Sequence, residues 1–174
     1  MNDSSEHELS PEHEEFLKKM SELIPMLSDK NGLVRQSARE EIVSLGKESV
    51  EYLAELIENP KKIMRREAVR ALDEIADPDS APLFLLALED NDEGVRWIAA
   101  IGLIILGKKS IKPLLKTIIE KPDSLFIRKG AHHILRSFSK IGIGPDTESL
   151  IQALNSKEAN LSAPIEAEKI LNIL

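Results

Sequence analysis

The chain contains no cysteine among its 174 residues. This absence excludes disulfide bonds, zinc–thiolate and iron–sulfur sites, and a cysteine nucleophile. Aromatic residues make up only 3% of the chain, with one Trp and one Tyr. Any core must therefore be built mainly from aliphatic side chains, and the many Leu, Ile and Ala residues favour helices.

Long apolar runs and excess positive charge are also lacking. The longest apolar run, residues 97–106, is about half the length that a membrane-spanning helix needs. The N-terminus is acidic, unlike a secretory signal, so we expect a cytoplasmic protein. The formal net charge is −7, from 23 basic and 30 acidic side chains. Because nonspecific nucleic-acid binding depends on Lys and Arg neutralising phosphates, we expect neither a nucleic-acid nor a membrane partner.

A short motif recurs at nearly constant spacing along the chain. An apolar residue and Arg are followed by Ala after two intervening residues, and the copies begin at Val34, Met64, Val95 and Ile127. The arginines are 30, 31 and 32 residues apart. Each copy continues with apolar residues at the three- and four-residue steps that mark one face of a helix, and a second helical segment follows each copy.

The pattern predicts a set of paired helices in one domain. The predicted pairs are residues 11–28 with 33–46, 49–59 with 63–76, 79–89 with 94–107, 110–121 with 125–139, and 147–155 with 161–173. Residues 1–10 are expected to form a disordered acidic tail, and residues 11–174 a single domain with core repeats at about 30–140. The last pair, within 147–173, lacks the Arg motif, and we expect it to cap the stack because terminal repeats are commonly atypical.

These segments resemble the HEAT repeat, more narrowly the short repeat first noted in phycobilisome-lyase proteins. That pattern runs Asp-x-x-Val-Arg-x-x-Ala-x-x-x-Leu-Gly, then a short turn and Ala-x-Pro-x-Leu, and it is matched best from Asp92 to Leu115. The resemblance implies an all-α fold, an α-solenoid or armadillo-like superhelix of about five antiparallel helix pairs. It also implies that the second helix of each pair lines a concave side. Because one fold hosts many activities, it says little about function.

Histidines are the candidates for metal or catalytic chemistry. The similar deoxyhypusine hydroxylase binds a di-iron centre with His-Glu pairs just after its Val-Arg dipeptide, and the corresponding positions here hold none. His7 and His13 precede Glu outside the repeats. His132 and His133 point about 100° apart on a helix and cannot easily chelate one ion. We therefore expect no metal, no cofactor and no enzymatic activity.

One arginine stands at the same point of every repeat. These residues are Arg35, Arg65, Arg96 and Arg128. We expect them to form a structural ladder, because guanidinium groups that become buried need hydrogen-bond partners. The expected partners are loop carbonyls, or carboxylates such as Asp92 or Asp123, of the same or a neighbouring unit.

The third unit breaks the mostly polar pattern of the second helices. At 100° per residue, Trp97, Ile101 and Ile104 fall opposite the core stripe of their helix. Equivalent positions in the neighbouring units carry mainly basic side chains and one histidine: Arg66, Arg70, Lys129, His133 and Arg136. An apolar centre with a charged rim is the usual anatomy of a binding surface, and Trp and Arg are frequent hot spots.

We predict a non-catalytic protein-interaction scaffold or adaptor that holds a partner segment on its concave helix face. The partner segment should carry apolar and acidic side chains, and the protein should be a monomer or weak homodimer. Two alternatives stay open: a bilin lyase-type accessory subunit, which the resemblance implies, and a His-based metalloenzyme of the HEAT-repeat class. The sequence also leaves open whether neighbouring helices cover Trp97.

Overall fold

The computed structural model describes residues 10–174, which form ten α-helices, two short 3₁₀ turns and no β-strand. The helices are α1 (Pro11–Met26), α2 (Gly32–Ser44), α3 (Val50–Leu56), α4 (Lys62–Ile75), α5 (Ala81–Ala87), α6 (Glu93–Leu106), α7 (Lys108–Glu120), α8 (Leu125–Ile141), α9 (Glu148–Leu154) and α10 (Ala159–Leu171). The predicted all-α solenoid is confirmed. Within the described range, no helix has the length and apolar character needed to span a membrane. Apart from Ser10, the predicted acidic tail lies outside the described residues.

Short polar side chains begin several of the longer helices. The side chain of Asn31 accepts a hydrogen bond from the Leu33 N–H at the start of α2, and Ser124 accepts from the Ile127 N–H at the start of α8. Such caps satisfy backbone donors that have no partner within the helix. α8 ends at Gly142, where φ is +68°. The helix therefore extends beyond the predicted end at residue 139, to the glycine that adopts the left-handed conformation most easily.

The helices form two layers. α2, α4, α6 and α8 pack side by side in chain order, and we call them the second-helix layer. Each packs against the helix that precedes it in the chain, namely α1, α3, α5 or α7. Apolar side chains between the layers form the core, and Gly102 allows close approach because a Cβ there would lie 2.4 Å from the Phe84 ring.

The last helix pair stacks in a different order from the others. α9 packs against α8, and α10 packs chiefly against α7. A regular fifth repeat would instead place α10 beside α8. The buried face of α10 is formed by small and aliphatic residues such as Ala163, Ala167 and Ile170. The second-helix layer therefore ends at α8, with the short α9 beside it.

Candidate partner-binding site

Trp97 is exposed on the second-helix layer. Its exposed fraction is 57%, so no helix of residues 10–174 covers it. Its indole ring lies against the His133 ring on α8, with centroids 5.0 Å apart and planes tilted by 41°. Ile101 and Ile104 are half-buried, and Ile104 packs partly against the core. Trp97 is therefore the most accessible of the three predicted apolar anchors.

A groove of about 280 Å³ opens beside Trp97, between α6 and α8. Leu88 and Ala100, which are 1% and 4% exposed, form its deep side together with Gly130. Trp97, His133 and Phe126 supply aromatic walls, and the charged side chains at the groove are Glu93, Arg96 and Lys129. We call this cavity the α6–α8 groove. It brings together three predicted site residues: Trp97, Lys129 and His133.

The predicted basic residues on α4 are engaged within the protein. Arg66 Nη2 donates to Asp92 Oδ1 at 2.9 Å, and Arg70 Nη1 donates to Glu67 Oε1 at 3.3 Å. Gly94 gives the Arg66 side chain room, because a Cβ at that position would lie 2.7 Å from Arg66 Nη2. Arg66 thus links α4 to the start of α6.

The bond from Arg66 also has an electrostatic consequence at Asp92. This hydrogen bond lowers the pKa of the Asp92 carboxyl to about 2, assisted by a hydrogen bond from the Val95 N–H and by Lys62. Asp92 caps α6 through the same Val95 N–H. The cap is therefore ionised at any pH near neutrality, and it holds Arg66 in place.

The basic residues on α8 differ from those on α4. Lys129 and Arg136 are both exposed, and neither forms an ion pair with any of residues 10–174. Lys129 lines the α6–α8 groove, and Arg136 follows it two turns later on the same helix. Near Trp97, the cations that have no partner within residues 10–174 are therefore on α8, whereas the partly exposed Arg70 on α4 is paired with Glu67.

Three of the four repeated arginines share one contact. Arg35, Arg65 and Arg96 each donate from Nη1 to the carbonyl oxygen six residues earlier, at 2.7, 2.9 and 2.7 Å respectively. Arg65 also forms a bidentate pair with the Asp90 carboxylate of the next unit, at 2.6 and 3.0 Å. Arg128 makes no equivalent bond within residues 10–174.

The carboxylates suggested as partners for these arginines bond elsewhere. Asp92 holds Arg66, and Asp123 accepts from the side-chain amide of Asn160. Asp92 and Asp123, which were named as examples of carboxylate partners, are therefore not the partners of the repeated arginines. The loop carbonyl oxygens, the other kind of partner expected, bind Arg35, Arg65 and Arg96, and Arg65 binds a carboxylate as well, that of Asp90.

Phe126 is a site residue that the sequence did not reveal. The Arg96 guanidinium carbon lies 4.1 Å from the centroid of the Phe126 ring, so an arginine assigned to the ladder also shapes the groove. The equivalent positions in the other units are Leu33, Ile63 and Gly94, which are mostly apolar. An apolar residue there is therefore not distinctive, and only the contact with Arg96 identifies Phe126.

The histidines do not gather into a metal site in the part of the chain that the structure describes. Within residues 10–174, no three His, Asp or Glu side chains are grouped so that they could hold a metal ion. His132 Nε2 lies 2.8 Å from the Asn155 side-chain nitrogen, and burial, followed by the nearby charge of Arg136, lowers the pKa of His132. His13 stacks on Phe16. His7 lies outside the described residues.

Paired helices stacked in two layers define the class of this chain as a helical-repeat protein. A family model described as HEAT repeats matches residues 20–104. This segment carries HEAT repeats, so the resemblance inferred from the motif spacing is confirmed there. A comparison with curated proteins found no match.

A solved structure supports the same fold. It is described as the complex of CpcE and CpcF of phycocyanin lyase from Nostoc sp. PCC7120, and one of its chains aligns with a TM-score of 0.56 at 23% identity. The alignment covers 87% of this chain and 99% of that chain. At such low identity, the likeness establishes the fold alone.

Proposed function

We propose that this protein is a non-catalytic interaction module that binds a segment of another protein on its second-helix layer. The observation that carries the proposal is the exposed Trp97 beside an apolar groove, with accessible cations on the neighbouring helix. HEAT repeats are commonly protein-interaction scaffolds. The similar solved chain was itself found in a complex of two different proteins.

The exposure of Trp97 leaves a large apolar area for a partner to cover. A Trp side chain buries up to about 250 Å², and 57% of its surface is accessible. At about 25 cal/mol per Å², covering that area stabilises a complex by up to about 3.5 kcal/mol before entropic costs. This magnitude matches the 2 kcal/mol or more that is typical of a Trp hot spot.

The charges around the surface indicate an acidic partner segment. Lys129 and Arg136 would attract carboxylates, whereas Arg66 and Arg70 are largely occupied within the protein. Since the chain as a whole carries a net charge of −7, this basic area is a local exception. Local charge of this kind mainly governs the association rate and the orientation of the partner.

The test is a pull-down from a lysate of the native host, read by mass spectrometry. Wild-type protein is compared with Trp97→Asp and with the control Leu86→Asp, which places the same charge at an exposed leucine on α5. Circular dichroism first establishes that both variants are folded. A protein captured by wild type and Leu86→Asp, but not by Trp97→Asp, supports the site. Equal capture by all three proteins would show that the partner binds elsewhere.

A second candidate function is that of a bilin lyase-type accessory subunit. The likeness to a chain of a phycocyanin lyase complex favours it, and such a subunit would still need a protein partner. Mixing the purified protein with a bilin tests this candidate by absorbance. A spectral shift that saturates at one equivalent would support it, and an unchanged spectrum would count against it.

The protein is expected to be a monomer or a weak homodimer, and a homodimer could form through the same apolar surface. Light scattering across a range of protein concentrations measures it directly. A molar mass that rises with concentration in wild type, but not in Trp97→Asp, would indicate that a second copy covers the surface. A constant mass of one chain would leave the surface available to a different protein.

A further inference from the structure

We infer that the α6–α8 groove is a recognition pocket for one large apolar side chain of a peptide segment, flanked in that segment by Asp or Glu. This inference rests on the proposed function and narrows it from a helix layer to a single pocket and a single anchor. Its support comes from comparing the groove with the equivalent places between the other helices of the same layer.

The step from one second helix to the next occurs three times among residues 10–174, and the same two repeat positions can be compared at each step. Between α2 and α4, these positions hold Arg39 and Glu67, whose side chains bond at 2.5 Å. Between α4 and α6, they hold Val69 and Ile98, two branched side chains that are buried and partly buried.

At the third step, between α6 and α8, the same two positions hold Ala100 and Gly130. Neither residue has a side chain large enough to fill the space, and the groove opens there. A Cβ on Gly130 would lie 3.0 Å from Leu88 Cδ2, so glycine lets the α8 backbone settle onto that buried leucine. The groove therefore follows from two small residues on different helices.

The size and lining of the groove suit one apolar side chain of a partner. Its volume of about 280 Å³ lies just below the roughly 300–1,000 Å³ of typical small-molecule sites. Leu88 and Ala100 offer apolar contacts at depth, and Trp97, Phe126 and His133 offer ring surfaces along the walls. A leucine or an aromatic side chain from a partner would find apolar contacts at the base and along the walls of the groove.

The charged residues around the groove indicate which residues of the partner segment lie next to that side chain. Arg96 and Lys129 line the groove, and Arg136 lies two turns further along α8 from Lys129. Glu93 is the acidic residue among the lining groups. A carboxylate beside the anchor would meet this excess of positive charge, whereas a lysine or arginine would be repelled by it.

The test begins with a random peptide library displayed on phage and selected on the full-length protein. We expect enriched peptides with one large apolar residue next to Asp or Glu. The affinity of a synthetic enriched peptide is then measured by the fluorescence of Trp97, which is the single Trp of the chain and lies in the groove wall. A library without binders, or an enriched basic consensus, would overturn the inference.

Ala100→Leu is the decisive variant, because it fills the groove and leaves Trp97 and Lys129 in place. We expect it to weaken peptide binding about tenfold or more, as the loss of an anchor contact does. Ala100→Val, which copies Val69 of the second unit, is the milder version if the leucine variant fails to fold. Ser44→Leu, an exposed position on α2 of the same layer, is the matched control and should bind like wild type.

Comparison with Trp97→Asp separates this inference from the proposed function. Loss of binding in both Trp97→Asp and Ala100→Leu supports the groove as the pocket. Loss of binding in Trp97→Asp alone overturns the inference that the groove is the pocket, but still supports the surface around Trp97 as the binding site. Unchanged binding in both variants overturns both proposals. Lys129→Glu should weaken the binding of an acidic peptide several-fold and leave the binding of a neutral analogue unchanged. An equal effect on both peptides would contradict the inference that acidic residues flank the anchor.

Discussion

Glu67 provides a direct test of what holds the first repeats together. Its side chain on α4 is about 2% exposed. Its carboxylate lies 2.5 Å from Arg39 Nη1, 3.3 Å from Arg70 Nη1 and 3.5 Å from Arg35 Nε. Two of these arginines belong to α2, so the carboxylate joins two helices of the second-helix layer. Glu67→Gln keeps the shape of the side chain but removes the charge that the three guanidinium groups surround.

The expected loss follows from burial and from the remaining partners. Removing one partner of a buried ion pair commonly costs about 3–5 kcal/mol. Arg39 keeps its bond to Glu74 at 2.7 Å and is 12% exposed, while Arg70 is 44% exposed and can be hydrated. We therefore expect a smaller loss, on the order of 2–3 kcal/mol. For a chain of this length, each kcal/mol lowers the melting temperature by roughly 2–4 °C.

Thermal unfolding followed by circular dichroism measures this effect. Glu67→Gln should melt about 4–12 °C below wild type by that conversion. Glu74→Gln is the matched control: its carboxylate is 38% exposed, and an exposed pair contributes about 1 kcal/mol or less. If Glu67→Gln melts within 2 °C of wild type, or no lower than Glu74→Gln, the network does not stabilise the α2–α4 contact as argued.

Three further predictions concern other groups. Arg96→Ala removes a charged hydrogen bond to a loop carbonyl and a contact with an aromatic ring. It should lower the free energy of unfolding, measured by urea titration, by about 2 kcal/mol. The control is Arg136→Ala at an exposed position, which should change that free energy by less than about 0.5 kcal/mol. Trp97→Asp should fold normally because its side chain is exposed, and a variant that fails to fold would show that Trp97 belongs to the core. The pKa of Asp92 is lowered to about 2, so its contribution to stability is present above its unfolded pKa of about 3.9 and is lost as the pH falls toward 2. Asp92→Asn should therefore flatten the dependence of stability on pH between those values, and an unchanged profile would contradict the role of the bond from Arg66.

The periodic sequence predicted the helices because each repeat places the same residue types in the same environment. Ala68, Ala99 and Ala131 are all fully buried in their repeats, as that reasoning requires. The stacking order of the last pair was not predictable in this way. The apolar face of α10, which includes Ala163 and Ala167, predicts that this helix is packed but does not identify the neighbour.

The candidate site was predictable only where it depends on the geometry of a single helix. The exposure of Trp97 follows from the helical angle, which is a property of one helix. The pairing of Arg66 with Asp92 depends on the distance between two helices and on the space that Gly94 leaves. The groove likewise needs Ala100 and Gly130 to meet across a helix interface. Such pairs can be found in a sequence only after the repeats are aligned and equivalent positions are compared across neighbouring units.

The charged network around Glu67 and the proposed binding groove lie at opposite ends of the same helix layer. Equivalent positions hold a charged network between α2 and α4 and an open groove between α6 and α8. Because a repeat contacts mainly its neighbours, a change at Glu67 should reach the groove weakly. Glu67→Gln should therefore lower the melting temperature without changing peptide affinity. Ala100→Leu should weaken peptide binding with only a small effect on the melting temperature.

The double variant tests this separation. Effects of distant sites that share no partners usually add to within about 0.5 kcal/mol. The melting temperature of Glu67→Gln/Ala100→Leu should thus equal that of Glu67→Gln, shifted by the small effect of Ala100→Leu alone. Its peptide affinity should equal that of Ala100→Leu. A larger departure in either measurement would mean that the packing of the whole layer, and not the groove alone, sets the affinity of this surface.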